Sequence, residues 1–167
     1  EYSLSMAVVP GGDEQLVVRS CHTARILARD MSTISSFEMP SGFGNLAASQ
    51  EFIYATEAEN DIRCFTHACT EVARWEDPDK YVAWPVLGPG GLLFCNLYEE
   101  GKPEQDEIVA LDAQTLQPRH RFGLSLLNDA GGMVVVGEEL FVCDRGNDRL
   151  QVFSLAGEHR RSITGEW

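Results

Sequence analysis

Glu138-Glu139-Leu140-Phe141-Val142-Cys143-Asp144-Arg145-Gly146-Asn147-Asp148-Arg149-Leu150-Gln151-Val152-Phe153-Ser154 reads as a strand, a tight turn and a second strand. Leu140 to Cys143 is a short apolar run. Asp144 to Asp148 is turn chemistry, because Asp and Asn bond their own backbone and Gly takes positive φ without steric cost. Arg149 to Phe153 resumes a β-rich segment.

Working backwards, the same pair-and-turn recurs. Leu16-Val17-Val18 is followed by Ile26-Leu27-Ala28, and Phe52-Ile53-Tyr54 by Ile62-Arg63-Cys64-Phe65. Leu92-Leu93-Phe94 is followed by Ile108-Val109-Ala110-Leu111, after a longer turn that carries Tyr98-Glu99-Glu100-Gly101-Lys102-Pro103-Glu104-Gln105-Asp106. Each copy also has an apolar or small-residue segment upstream: Leu4 to Val9, Asn45 to Ala48, Val82 to Leu87 and Met133 to Val136. Downstream comes a polar segment ending on Phe37, Trp75, Phe122 or Ile163. The unit is therefore four strands, a to d, with a period of about 40 to 50 residues.

Within the last copy, apolar content is continuous in strands a and b, alternates in c and nearly vanishes in d. Continuous runs imply burial on both faces of a sheet, and alternation implies one. Small sheets stacked face to face around an axis produce that gradient, so the fold class expected is all-β, a β-propeller of four-stranded antiparallel blades. A β-sandwich predicts even strand spacing without the repeated decline. The expected domain is one propeller segment, 1–167, with blades at 4–43, 44–81, 82–131 and 132–167. The chain starts on Glu1, just ahead of a strand a, and stops at Trp167, just after a strand d. We therefore expect four blades cut from a larger ring, with a complete four-bladed ring as the alternative.

The last hairpin, with Leu155-Ala156-Gly157 after it, resembles an NHL repeat. Asp144, Gly146, Asn147, Arg149, Gln151 and Gly157 stand at the places of that family's pattern, and the other copies match it weakly. The resemblance implies a six-bladed propeller, in which these six residues build the blade.

The net charge of −13 argues against a phosphate-binding surface and against anionic membranes, and no apolar run approaches the roughly 18 residues of a membrane span. We expect no nucleic acid and no membrane, but protein partners, basic ones among them, and other blades or chains that complete the ring. Five scattered cysteines (Cys21, Cys64, Cys69, Cys95, Cys143) suit a reducing, cytoplasmic setting better than a disulfide framework. Cys95 and Cys143 both end a strand b, where a small buried residue fits better than a reactive thiol.

Assigning b–c turns and d–a connections to one face places 15 of the 26 acids there. The candidate partner-binding residues are Glu57, Glu59, Asp61, Glu99, Glu100, Glu104, Asp106 and Glu107, joined on that face by Glu38, Glu76, Asp77, Asp79, Asp129, Asp144 and Asp148. A field of one sign steers basic partners. The third-copy insertion, Leu97 to Gln105, is a candidate partner-contacting arm. No Asp-x-Asp-x-Asp-Gly loop suggests calcium, no Gly-x-Ser-x-Gly suggests a serine nucleophile, and Gly88-Pro89-Gly90-Gly91 is a turn between strands rather than a phosphate loop. His22, His67, His120 and His159 all fall outside strands a, which line a propeller's channel. The metal-dependent amidating lyases that resemble NHL proteins need histidines there. We expect no catalytic residues, no cofactor and no metal. The function expected is a non-catalytic protein–protein interaction scaffold, and the alternative is an enzyme or small-ligand site in the channel.

Overall fold

Among the described residues, sixteen strands fall into four antiparallel sheets, each built from four consecutive strands. The computed structural model describes residues 4–11, 15–20, 22–38, 44–56 and 60–165. The first sheet is β1 (Leu4–Val9), β2 (Gln15–Ser20), β3 (Thr23–Leu27) and β4 (Thr33–Glu38). The second is β5 (Leu46–Ala48), β6 (Phe52–Thr56), β7 (Asp61–Thr66) and β8 (Glu71–Glu76). The third is β9 (Tyr81–Gly88), β10 (Leu92–Tyr98), β11 (Glu107–Asp112) and β12 (Pro118–Phe122). The fourth is β13 (Ala130–Val136), β14 (Glu139–Asp144), β15 (Arg149–Ser154) and β16 (His159–Thr164). The sheets are the blades of a propeller fold, and the strands match the four-strand repeat, although the third and fourth blades begin slightly earlier than the sequence suggests.

Burial shows why the strand b segments are apolar throughout. In β10, Leu93, Cys95 and Leu97 face a core shared with Tyr54, Ile62 and Cys64 of the second blade. Phe94, from the opposite face, joins Leu140, Val142 and Phe153 of the fourth. A third core joins Val17 and Ile26 of the first blade to Ile53 and Phe65 of the second. Four blades thus share three inter-blade cores.

Among the described residues no such core joins the fourth blade to the first. Met6 and Val8 on β1, and Val134 and Val136 on β13, are all more than half exposed, at 60%, 69%, 51% and 59%. A closed four-bladed ring would bury them, so the blades form an open arc. This corrects the expectation of two-sided burial in the fourth blade. Its β14 runs apolar from Leu140 to Cys143, yet only Leu140, Val142 and Asp144 are buried, because nothing in the described chain covers the other face.

The b–c turn of the fourth blade also departs from expectation in detail. The positive φ falls on Asp148 (48°), after a 3-10 turn at Arg145–Asn147 whose Asp148 N–H donates to Arg145 O (3.1 Å). Gly146 is required by space instead: a Cβ there would lie 2.6 Å from Asn128 Cγ. Gly157 answers to both constraints, with φ +88° and a Cβ position 2.7 Å from the Phe122 ring.

A candidate partner-binding hollow at the channel mouth

The four strands a converge on the axis of the arc. Ser5, Met6, Asn45, Leu46, Trp84, Pro85, Gly132 and Met133 line a small space of about 250 Å³ there. On the face of the b–c turns it gives way to a larger hollow of about 750 Å³. Asn45 and Thr56 of the second blade, Val82 to Trp84, Tyr98 to Gly101, Pro103 and Asp106 of the third, and Asn128 to Ala130, Arg145 and Gly146 leading into and within the fourth form its walls. A volume of this size suits a small molecule or a few side chains of a partner.

Trp84 owes its position to a β-bulge. β9 pairs with β10 as Val86↔Phe94 and Ala83↔Asn96, so Trp84 and Pro85 together oppose the single residue Cys95. The extra residue turns the strand, and Trp84 takes φ +52°, a conformation bulky side chains rarely adopt. Its N–H donates to Asn45 Oδ1 (3.2 Å), and its ring stays partly exposed. Sequence reasoning missed Trp84. The available signal was a large aromatic followed by proline inside a strand a whose neighbours are small.

The insertion is not a protruding arm. Pro103 O accepts Asp129 N–H (3.1 Å), which ties the loop to the connection between the third and fourth blades. Lys102 pairs with Glu99 (2.5 Å) across Gly101, whose φ is +79°. Tyr98 stacks on Tyr81, with ring centroids 5.3 Å apart. The insertion is thereby a fixed wall of the hollow.

The candidate acids separate by burial. Glu99, Glu100 and Glu104 reach solvent, and among the described residues Glu100 and Glu104 have no cationic partner, while Glu57 and Glu59 lie outside the described residues. Asp61, Asp106 and Glu107 are buried, which corrects their assignment to the open surface. Each sits at the start of strand c or just before it and turns inward to a donor. Asp61 pairs with Arg63 (2.9 Å) and Arg74 (2.8 Å). Glu107 accepts from Lys80 (3.0 Å) and Arg121 (3.3 Å). Asp77, also buried, takes Arg121 at 2.6 Å and the backbone N–H groups of Asp79 and Lys80. Asp144 is fully buried as well, so the acidic face is smaller than charge counting suggests.

The signature residues of the fourth blade form one network around Asp144. Its carboxylate accepts from Asn128 N (2.8 Å), Asn147 Nδ2 (2.9 Å), Arg149 Nε (2.7 Å) and Gln151 Nε2 (3.3 Å). Gln151 Oε1 in turn meets His159 Nε2 (2.8 Å) and Ser162 Oγ (2.7 Å). These residues hold the hairpin to the preceding connection.

Asp106 is different, because it is buried without a cation of its own. Oδ2 accepts Ala130 N–H at 2.6 Å, while Oδ1 has no donor. Beside it, Asn96 gives Nδ2 to Ala130 O (3.1 Å), and its Oδ1 is also buried without a donor. Burial pushes the Asp106 carboxyl up from the usual range, and the nearby Asp129 adds to the rise. A raised acid binds its proton more tightly folded than unfolded. Its contribution therefore favours the fold at low pH and is lost as pH rises from the ordinary carboxylate value through the raised one. Asp106→Asn should remove that loss and stabilise the chain by about 1 kcal/mol near neutral pH, since an amide still accepts from Ala130 and can offer N–H to Asn96. Thermal unfolding of both proteins across acid to neutral pH would show the curves diverging upward. Parallel curves would count against the assignment.

The histidines stand away from the channel. His67 meets Ser49 O (3.1 Å), His120 stacks on Phe122, and His159 lies on β16. Among the described residues no three His, Cys, Asp or Glu side chains are grouped to hold a metal ion. Burial pushes the Cys64 thiol up to about 12 and the Cys95 thiol higher still, so neither supplies a thiolate near neutral pH. No described helix is long and apolar enough to cross a membrane.

No protein-family model matches the sequence, and no curated protein matches it. Solved structures do. BamB from Moraxella catarrhalis superposes with a TM-score of 0.67 at 14% identity, over 94% of this chain and 48% of that one. Raptor from Chaetomium thermophilum superposes with a TM-score of 0.76 at 15% identity, over 97% of this chain and 16% of that one. The chain thus spans about half the length of the first and a smaller part of the second. Both neighbours are propeller folds, and at these identities the likeness is one of architecture: this chain has four blades of a β-propeller.

Proposed function

We propose that the chain is a non-catalytic protein–protein interaction scaffold, an NHL-like propeller segment that receives a basic partner on its b–c face. One observation carries the reading. Glu99 and Glu100 rim a preformed hollow in which Trp84 and Tyr98 are 39% and 38% exposed, and the exposed Glu104 follows its wall residue Pro103 in the chain. Aromatic anchors surrounded by charge are the usual make-up of an interface centre and its rim. The net charge of −13 adds long-range attraction for cationic partners. The network joining Asp144, Asn147, Arg149 and Gln151 supports the NHL-like reading, because those signature residues act together as blade-forming groups. The open faces of the first and fourth blades are where further blades or another chain complete the ring.

The test is binding of immobilised chain to matched panels of basic and acidic peptides. Basic peptides should bind, weaken as salt rises, and weaken further on Glu100→Lys with Glu104→Lys. Equal binding of both panels, or binding indifferent to salt and to charge reversal, overturns the proposal.

A further inference from the structure

We propose that the hollow is a receptor for a single guanidinium group, an arginine side chain of the partner, with Asp106 at its base and Trp84 and Tyr98 as its apolar walls. The inference rests on the scaffold reading above and names what the site recognises.

Asp106 lines the hollow and is 1% exposed, and its Oδ1 has no donor. The neighbouring Asn96 is likewise 1% exposed, and its Oδ1 has no donor either. A buried acceptor left unmade carries its full desolvation penalty, more when charged, so folded proteins rarely keep two together without purpose. Of the two, Asp106 lines the hollow, and its Oδ1 calls for an N–H group and belongs to a carboxylate, so the complementary group there is a cation that carries N–H donors.

The chain's own cations around the hollow are committed elsewhere. Lys80 Nζ is held by Gln105 O (2.6 Å) and Glu107 Oε1 (3.0 Å). Arg145 is held by Asp129, through Nη2 to Oδ1 (2.8 Å) and Nε to the carbonyl (3.2 Å). Lys102 is held by Glu99.

The walls then select among cations. A guanidinium is planar, carries five N–H donors in a fork and stacks on aromatic faces, whereas an ammonium is a strongly hydrated point charge. Trp84 and Tyr98 offer aromatic surface in the same hollow, and Trp is the strongest partner for a cation over a ring. A quaternary ammonium has no N–H group and would leave Asp106 Oδ1 unmet. Trp84 is also held in place ahead of any ligand, by the bulge opposite Cys95 and by its bond to Asn45. The cost of ordering it is therefore met on folding rather than on binding.

The probes are three capped tripeptides, Gly-Arg-Gly, Gly-Lys-Gly and Gly-citrulline-Gly, titrated against the 167-residue chain by calorimetry and tryptophan fluorescence. Citrulline keeps the shape of arginine without its charge. The arginine peptide should bind and perturb the fluorescence, the lysine peptide should bind on the order of tenfold more weakly, and the citrulline peptide should show no binding. Asp106→Asn, which keeps the fold, should weaken the arginine peptide by on the order of tenfold, and Trp84→Ala should abolish the fluorescence change. Equal binding of arginine and citrulline peptides, or an Asp106→Asn chain that binds as the parent does, overturns the inference, as does failure of all three to bind. If basic peptides still respond to reversal of Glu100 and Glu104 while Asp106→Asn changes nothing, the scaffold reading stands and the guanidinium receptor fails alone.

Discussion

Asp144→Ala should destabilise the fold by about 3–5 kcal/mol, the cost of breaking a buried ion pair by removing one partner. The carboxylate has no solvent exposure and gathers a backbone N–H and three side chains, at 2.7–3.3 Å. Alanine would strand Asn128 N, the Asn147 amide, the Arg149 guanidinium and one end of Gln151 together. Gln151 also anchors His159 and Ser162 of β16, so the loss spreads from the b–c turn to the outer strand. Asp144→Asn keeps the shape but sets an N–H₂ group among donors, and should cost less than alanine. Urea denaturation would give both values. The double replacement of Asp144 and Arg149 by alanine should cost less than the sum of the singles, because removing both leaves no buried charge behind. A cost under about 1 kcal/mol for Asp144→Ala, the worth of one ordinary hydrogen bond, would show that the network does not hold the blade.

Phe153→Ala should cost a similar amount, about 3–5 kcal/mol, for a different reason. Phe153 is fully buried in the core between the third and fourth blades, 5.2 Å from the Phe122 ring and 5.6 Å from that of His159. Truncation leaves a cavity where two sheets meet, and backbone on both sides resists collapse. The informative control is Phe141→Ala, one strand away in the same sheet. Phe141 lies on the open side, half-buried under Arg161, whose guanidinium carbon is 5.8 Å from the ring centre and which pairs with Glu139 (2.5 Å). It should cost about 1 kcal/mol, mostly the lost cation–π contact and partial burial. Equal costs at the two positions would mean that the outer face of the fourth blade is covered in solution.

These contrasts show what the sequence could carry. The four-strand repeat was legible because strand b residues must serve two cores at once, as Leu93 and Phe94 do, and because the outer strands β4, β8, β12 and β16 meet water. Ring closure was not legible. The same apolar segment, Leu140 to Cys143, is two-sided or one-sided according to what lies beyond it. Nor could the sequence say which acids turn inward. Asp106 and Glu104 are near neighbours in one loop, yet one is fixed by Ala130 N–H, contributed by another blade, and the other points to water. Trp84 escaped for a related reason. A bulge is a property of two paired strands: Pro85 within Tyr81 to Gly88 signals an irregularity, but not that the register slips opposite Cys95.

An arc with three cores for four sheets has a linear pattern of coupling, as a stacked repeat protein does. Every blade draws stability only from those beside it, so the first and fourth are held from one side and the middle two from both. Local opening then runs inward from the ends. The hollow draws its walls from the second, third and fourth blades and none from the first. Its aromatic and acidic residues stand mainly on the third, doubly clamped blade, so fraying at the first blade leaves the recognition surface intact.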